Sequence, residues 1–493
     1  TSLAPNSFDG PADVAKILSN GKIAIGGMFN TYNNHYVGKF AVLRGEDYYF
    51  VNGQNRLDSD LNGCAASDMR FPGMKFNVSN GTSSSGYFAD ATGNYSLALT
   101  AGNYTITPVF ENPSYYTVTP TSIQASLTAS TLPISQNFCI VPNGTHQNLE
   151  VVIVPINTAR PGFDATYKII YKNSGNFSIS GQVELAYQDG VMDLVSSNPL
   201  QSATALGHLT WNYTNLFPSE TREINLKFNL NRPTETPPLN QNDVLSFNAL
   251  IFPIQNDENQ SDNSFNLNQT VIDSYDPNDK TCLEGKVVGT DLIGKYVHYV
   301  IRFENTGTGN AQKVVISDEI DLNKFDISSL QPLIASHLFT TKIDGNKVSF
   351  EFDNINLPFN ENQNKGYVSF KIKLKNNLVA GNTFENQAQI YFDYNYPITT
   401  NNEVTTIEAL SRADLTKDNS IKIYPNPASD FVNIKASSNI NSIEMYDVQG
   451  RILMTSLYNE TSARLDLSRQ SSGIYYLKVK TDEGSKVEKL LKR

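Results

Sequence analysis

Tryptophan occurs once in this chain of 493 residues, cysteine three times and histidine five times. The histidines, His35, His146, His208, His298 and His337, show no paired spacing of the kind a zinc protease needs. Cys64, Cys139 and Cys282 likewise fit no zinc motif. Charge is scarce too, at 18% of residues, and acidic side chains outnumber basic ones 49 to 38. A net charge of −11 leaves no basic stripe for phosphates, which argues against a nucleic-acid partner. No run of 18 apolar residues is present, so no transmembrane helix is expected. The chain opens at Thr1 with no secretory leader, so we expect a mature or processed form. There is no Gly-x-Ser-x-Gly elbow, no Cys/His dyad and no phosphate-binding glycine loop. The expectation is a protein that is not an enzyme.

What is abundant is β-forming. The chain has 25 Tyr and 26 Phe, many β-branched residues, and frequent Gly, Pro and Asn-Gly punctuation. That composition predicts an all-β protein. A chain this long exceeds one core, and about three to five domains are expected.

Residues 1–52 contain "LSNGKIAIGGMFNTYNNHYVGKFAVL", with turns at Asn20-Gly21 and Asn33-Asn34 around a strand over Lys22–Gly26. This stretch resembles one unit of a short propeller-type repeat, a partial propeller at the N-terminus of what we expect to be a longer protein. Residues 53–148 run through "LDSDLNGCAASD", "PGMKFNV", "DATGNYSLAL" and "AGNYTITPVF". The order resembles prealbumin-like β-sandwich modules of bacterial surface proteins, which act as stalks and spacers. Cys64 and Cys139 lie near the two ends of this segment. A disulfide between them would stabilise by about 4–5 kcal/mol in the chain-entropy model. Two free buried thiols are the other reading, and Cys282 stays unpaired in either.

Residues 149–408 hold an internal repeat. "FDATYKIIYKNSGN" matches "VHYVIRFENTGTGN", "HLTWNYTNLFP" matches "KVSFEFDNINLP", and "DVLSFNALIFP" matches "NTFENQAQIYFD". A spacing of about 130–140 residues fits two successive sandwiches, 149–273 and 274–408. The pair resembles immunoglobulin-like conserved-repeat domains of bacterial surface proteins, and the junction "SYDPNDKTCLEG" resembles secreted proteins of the Bacteroidetes. Trp211 alternates with Leu209 and matches Phe350, which favours a core position over a sugar platform.

Residues 409–420 are polar and read as a linker. Residues 421–493 divide into seven short strands: 421–424, 431–436, 442–446, 452–456, 463–467, 473–480 and 485–491. Pro425-Asn426-Pro427 sets a rigid corner, because proline fixes φ and removes a donor. Gly450, followed by Arg451, allows a turn. Gly473 starts a strand in which Ile474, Tyr476 and Val479 supply apolar surface. The last hairpin, 473–491, can present a free edge for strand addition. "IYPNPASDFVNI", "MYDVQGRIL", "LDLSRQSSGIYYLKV" and "KVEKLLKR" occur in order. Together they resemble the type A C-terminal sorting domain of the type IX secretion system.

That resemblance implies a route. Such a protein folds in the periplasm and crosses the outer membrane through the type IX translocon. An outer-membrane shuttle protein receives it, and a sortase-like protease cuts in the linker. Pro425, Asn426, Pro427, Gly450, Arg451, Gly473, Tyr475, Lys478 and Lys489 would carry the signal. The released part would act at the cell surface or outside the cell, with a surface glycan or glycolipid as a further partner. The role implied is that of an adhesin-like, gliding-associated stalk. Two alternatives are the spacer of a secreted hydrolase whose catalytic domain lies upstream, and a polysaccharide-binding module.

One loop has metal-site spacing. Asp58, Asp60 and Asn62 stand at positions one, three and five before Gly63, the first half of a calcium loop. Met69 replaces the usual acidic twelfth residue, and Asp68 would substitute for it. Calcium is therefore the expected cofactor, against the alternative of an Asp/Asn-rich surface turn. "NDENQSDN" and "YDPND" are weaker stretches of the same kind.

Overall fold

Period-two alternation of apolar and polar residues is realised almost throughout as strand. The computed structural model describes residues 10, 12–17, 23–32, 35–36, 39–43, 48–128, 133–273, 277–359, 363–393, 395–409, 417–448, 450, 452–468 and 470–493. Among these residues, helix is confined to three single 3-10 turns. No helix among them is long and apolar enough to cross a membrane. The protein is all-β. It divides into two compact units, Thr1–Val109 with Val118–Val141, and Phe110–Thr117 with Pro142–Arg493.

In the first unit, Ala12–Ile17, Ile23–Gly27 and Phe40–Leu43 form a three-stranded antiparallel meander. The turns expected at Asn20-Gly21 and Asn33-Asn34 lie outside the described residues. The next strand, Tyr49–Leu57, runs through the expected boundary at residue 52. It pairs antiparallel with Asn94–Leu99 and parallel with residues 134–135 and 138–140. A second sheet orders Ile123–Leu127, Gly102–Val109, Lys75–Ser79 and Ser84–Phe88. Phe76 meets Tyr95 at 4.5 Å and Phe138 at 5.6 Å between ring centroids, a core of interlocked rings.

In the second unit the internal repeat is a repeated topology. Leu149–Pro155, Asp164–Asn173, Thr221–Leu230 and Met192–Asn198 form one sheet, in that order. Their counterparts Lys280–Cys282, Tyr296–Glu304, Lys365–Leu374 and Phe325–Ala335 form another in the same order. Opposing sheets also correspond: 203–205, 208–216, 179–187 and 244–252 in the first sandwich, 340–344, 347–357, 311–319 and 388–392 in the second.

The shared "N-(S/T)-G" has a physical cause. Asn173 Nδ2 donates to Phe177 O and Leu216 O, while its Oδ1 accepts from Gly175 N. Asn305 does the same with Gly309 O, Leu357 O and Gly307 N. Each buried amide satisfies backbone groups of its own turn and of a neighbouring strand end. Trp211 is buried, and its indole N–H donates to Ser197 Oγ at 3.0 Å. It is a core residue, not a platform.

The segment Phe110–Thr117 belongs to the second unit although the sequence places it in the 53–148 module. Its aromatic and carboxylate side chains hold it there. Tyr116 donates to Gly175 O, and Tyr115 stacks on His146 while donating to Glu258. Glu111 bonds Lys172 and Lys371.

Candidate functional site

Among the described residues, the C-terminal domain contains five strands: Lys422–Tyr424, Phe431–Tyr446, Ile452–Asp466, Gly473–Thr481 and Gly484–Lys492. Two expected breaks are absent. The stretches 431–436 and 442–446 are one 16-residue strand, and 452–456 and 463–467 are one 15-residue strand. The polar "SSNIN" that suggests a turn is instead a register shift between Lys435 and Ile440. There the long strand exchanges Lys422–Tyr424 for Gly473–Thr481 as a neighbour. Val432, Ile434, Ile443, Met445, Leu465, Leu477, Val479 and Leu490 form part of its core.

Pro425-Asn426-Pro427 places one side chain with consequence. Asn426 Nδ2 donates to Lys489 O at 2.6 Å, and Leu491 N donates to Asn426 Oδ1 at 3.0 Å. The amide thus imitates a strand partner along the outer edge of the last strand. Ala428 N donates to Leu491 O, and Arg493 N to Ala428 O. At the other end, Asp418 N donates to Ser485 O. The edge expected to be free for strand addition is therefore engaged by the chain's own 417–428 segment. Residues 417–420, expected as linker, are docked on the domain: Thr481 Oγ1 donates to Asp418 Oδ2 at 2.6 Å, and the Ser420 and Thr481 bonds hold that carboxyl below its usual range.

The remaining signal residues separate by face. Tyr475 points inward, is buried, and donates to Ser471 O at 2.8 Å. Val479 also points inward, while Ile474 and Tyr476 point outward, because a strand alternates every residue. The expected apolar trio therefore does not share a face. Lys478 lies outward, half-buried, 3.5 Å from Glu444. Lys489 is exposed and lies opposite Tyr476. Gly450 has φ +82° in a turn closed by its N–H to Asp447 O, which a side chain would strain. Gly473 has no such φ, so its backbone does not require glycine. Arg451 lies outside the described residues.

The outward surface of the terminal hairpin combines apolar and cationic groups. Ile474 is 37% exposed, Tyr476 39%, Val487 61% and Leu491 41%. Register pairs Ile474 with Leu491, Tyr476 with Lys489 and Lys478 with Val487. Residues 422–493 carry eleven Lys and Arg against eight Asp and Glu, in a chain that is acidic overall. The sequence alone singles out neither Val487 nor Leu491, since which parity faces outward is set by packing.

The calcium-type loop is tied to itself. Asp58 is buried, and its two oxygens accept from Asn62 N and Gly63 N. Asn62 Nδ2 donates to Asp60, and Asp68 accepts from Ala65 N. Among the described residues, no group of three or more His, Cys, Asp or Glu is arranged to hold a metal. In the weaker stretches, Asp279 receives a two-pronged bond from Arg302, and Asp257 accepts from Leu149 N. Cys64 and Cys139 form a disulfide, S–S 2.08 Å, and Cys282 is free and buried.

Residues 422–493 match the secretion system C-terminal sorting domain, and residues 276–406 match a domain of unknown function (DUF7619). The chain thus carries a type IX sorting domain and is cargo of that system, exported to the cell surface or the extracellular space. Interaction with the secretion machinery follows from the same domain. No curated protein matches the chain. Among solved structures, the C-terminal domain of the Streptococcus pyogenes antigen I/II-family protein AspA is 10% identical, with 54% of this chain and 100% of that one covered, at a TM-score of 0.20. The collagen adhesin of S. aureus is 14% identical over 53% and 93%, also at 0.20. The major pilin subunit of Bacillus cereus is 10% identical over 73% and 93%, at 0.18.

Proposed function

We propose that this chain is a non-catalytic surface protein whose sorting domain is read through the outward face of its terminal hairpin. The observation that carries this reading is the exposed set Ile474, Tyr476, Val487 and Leu491, interleaved with Lys478 and Lys489, beside an edge already engaged by Asn426. Exposed apolar side chains on a sheet face supply affinity when covered, and lysines favour an acidic rim on the partner. The outer-membrane shuttle is that partner, a sortase-like protease cuts before Lys417, and the tandem sandwiches serve as an adhesin-like stalk at the surface, gliding-associated in its role. Deleting residues 473–493 should retain the protein in the cell envelope, and fusing 409–493 to a foreign folded protein should export it. Surface exposure of the truncated chain, scored by protease shaving of intact cells, would overturn the address reading. Replacing Val487 and Leu491 with Ser should slow export of a domain that still folds. Unchanged export of that variant would reject the face while leaving the address intact.

A further inference from the structure

The second sandwich contains a buried lysine that lies outside the sorting domain. Lys280 and Asp318 both have side chains 0% exposed, and Lys280 Nζ donates to Asp318 Oδ2 in a short contact. Asn386, also buried, donates its Nδ2 to the same oxygen at 3.5 Å. One carboxyl oxygen therefore bridges an amine and a carboxamide. The other oxygen, Asp318 Oδ1, and the amide oxygen, Asn386 Oδ1, are buried without a hydrogen-bond partner. The walls are aromatic: Lys280 Nζ lies 5.0 Å from the Tyr299 ring and 5.3 Å from that of Phe370. The three residues come from separate strands, Lys280–Cys282, Ala311–Glu319 and Thr383–Asn386. Asn401 fixes the first of these by accepting from Lys280 N and donating to Lys280 O.

An ion pair for its own sake is a poor use of such a site, because desolvation of two charges offsets their attraction. Burial outweighs the attraction here: the amine is pushed below the ordinary lysine value and the carboxyl above the ordinary aspartate value. An amine biased toward its neutral form, beside an acid biased toward its protonated form and a carboxamide, places a nucleophile, a proton carrier and an electrophile in one dry pocket.

We propose that Lys280 and Asn386 become joined by an intramolecular amide bond, with Asp318 carrying the protons. The Lys280 Nζ lone pair attacks Asn386 Cγ, forming the new C–N bond while Asp318 protonates the amide oxygen. Asp318 then takes a proton from Nζ and delivers one to Nδ2. The Cγ–Nδ2 bond breaks, ammonia leaves, and the amide oxygen returns its proton to Asp318. Amine plus carboxamide gives secondary amide plus ammonia, and Asp318 ends protonated as it began. No oxidant or cofactor enters. The link would tie the first strand of the sandwich to a strand near its end, closing nearly the whole domain into a covalent loop.

Intact mass of the reduced, denatured full chain decides it. The expected mass falls short of the sequence by one ammonia, and digestion should yield a branched peptide joining Lys280 to Asn386. Lys280→Arg and Asp318→Ala should restore the full mass. Wild-type protein at full mass would overturn the bond. So would a deficit of one water with a peptide joining Lys280 to Asp318. These wild-type readings hold whether or not the variants fold. An ammonia deficit persisting in a folded Asp318→Ala variant would remove Asp318 from the chemistry.

Discussion

At the scale of the residue, buried polar groups explain more of this protein than any motif. Asn173 and Asn305 are isolated letters in a repeat until their three hydrogen bonds are seen. Asp262 is the opposite case, a carboxyl whose Oδ1 is buried without a partner. Burial, with Glu150 nearby and Lys371 opposing, pushes it up to about 8. The folded state thus holds a proton that the unfolded chain releases near its ordinary value of about 4. Stability from this group is fully present below that value and is lost as pH rises toward 8. Thermal melts from pH 4 to 8 should fall with pH, and Asp262→Asn should flatten that slope. An unchanged slope in Asp262→Asn would assign it to another group.

At the scale of the element, the last strand shows how an exposed edge is managed. An open edge invites pairing with another chain. Here Asn426 occupies it with one donor and one acceptor. Asn426→Ala should cost about 1–2 kcal/mol, two net hydrogen bonds at a mostly exposed site. It should also raise self-association, seen as a larger species in sedimentation, whereas a monomer of unchanged stability would show the amide to be dispensable. The strands themselves were legible from their alternation. The bulge at 435–440 was not, since "SSNIN" has the composition of a turn and only cross-strand pairing carries the strand through it.

At the scale of the whole molecule, the sandwiches of the second unit share a buried seam. Val152, Val154 and Ile170 of one pack with Leu283, Val300 and Tyr367 of the next. Beside it Lys371 bonds Glu111 and Glu150, and Lys172 bonds the same two carboxylates. The lysines hold Glu111 well below the usual carboxylate range despite its burial. Lys371→Met leaves two close carboxylates sharing one lysine and should cost about 3–5 kcal/mol in denaturant unfolding. A loss under 1 kcal/mol would mean that water or Lys172 compensates.

The sequence by itself determined the all-β class, the repeat and the sorting domain, because strand periodicity, turn residues and ordered motifs are local and survive in one dimension. Only the tertiary structure decided which motif residues are core and which are surface, since inward and outward parity depends on what packs against each sheet. It also decided that the terminal edge is engaged, that 110–117 leaves one unit for the other, and that Lys280, Asp318 and Asn386 meet. Those three stand far apart in the chain, and no local pattern marks them. Folding alone brings an amine, an acid and an amide into one pocket, where exclusion of water makes them chemically relevant to one another.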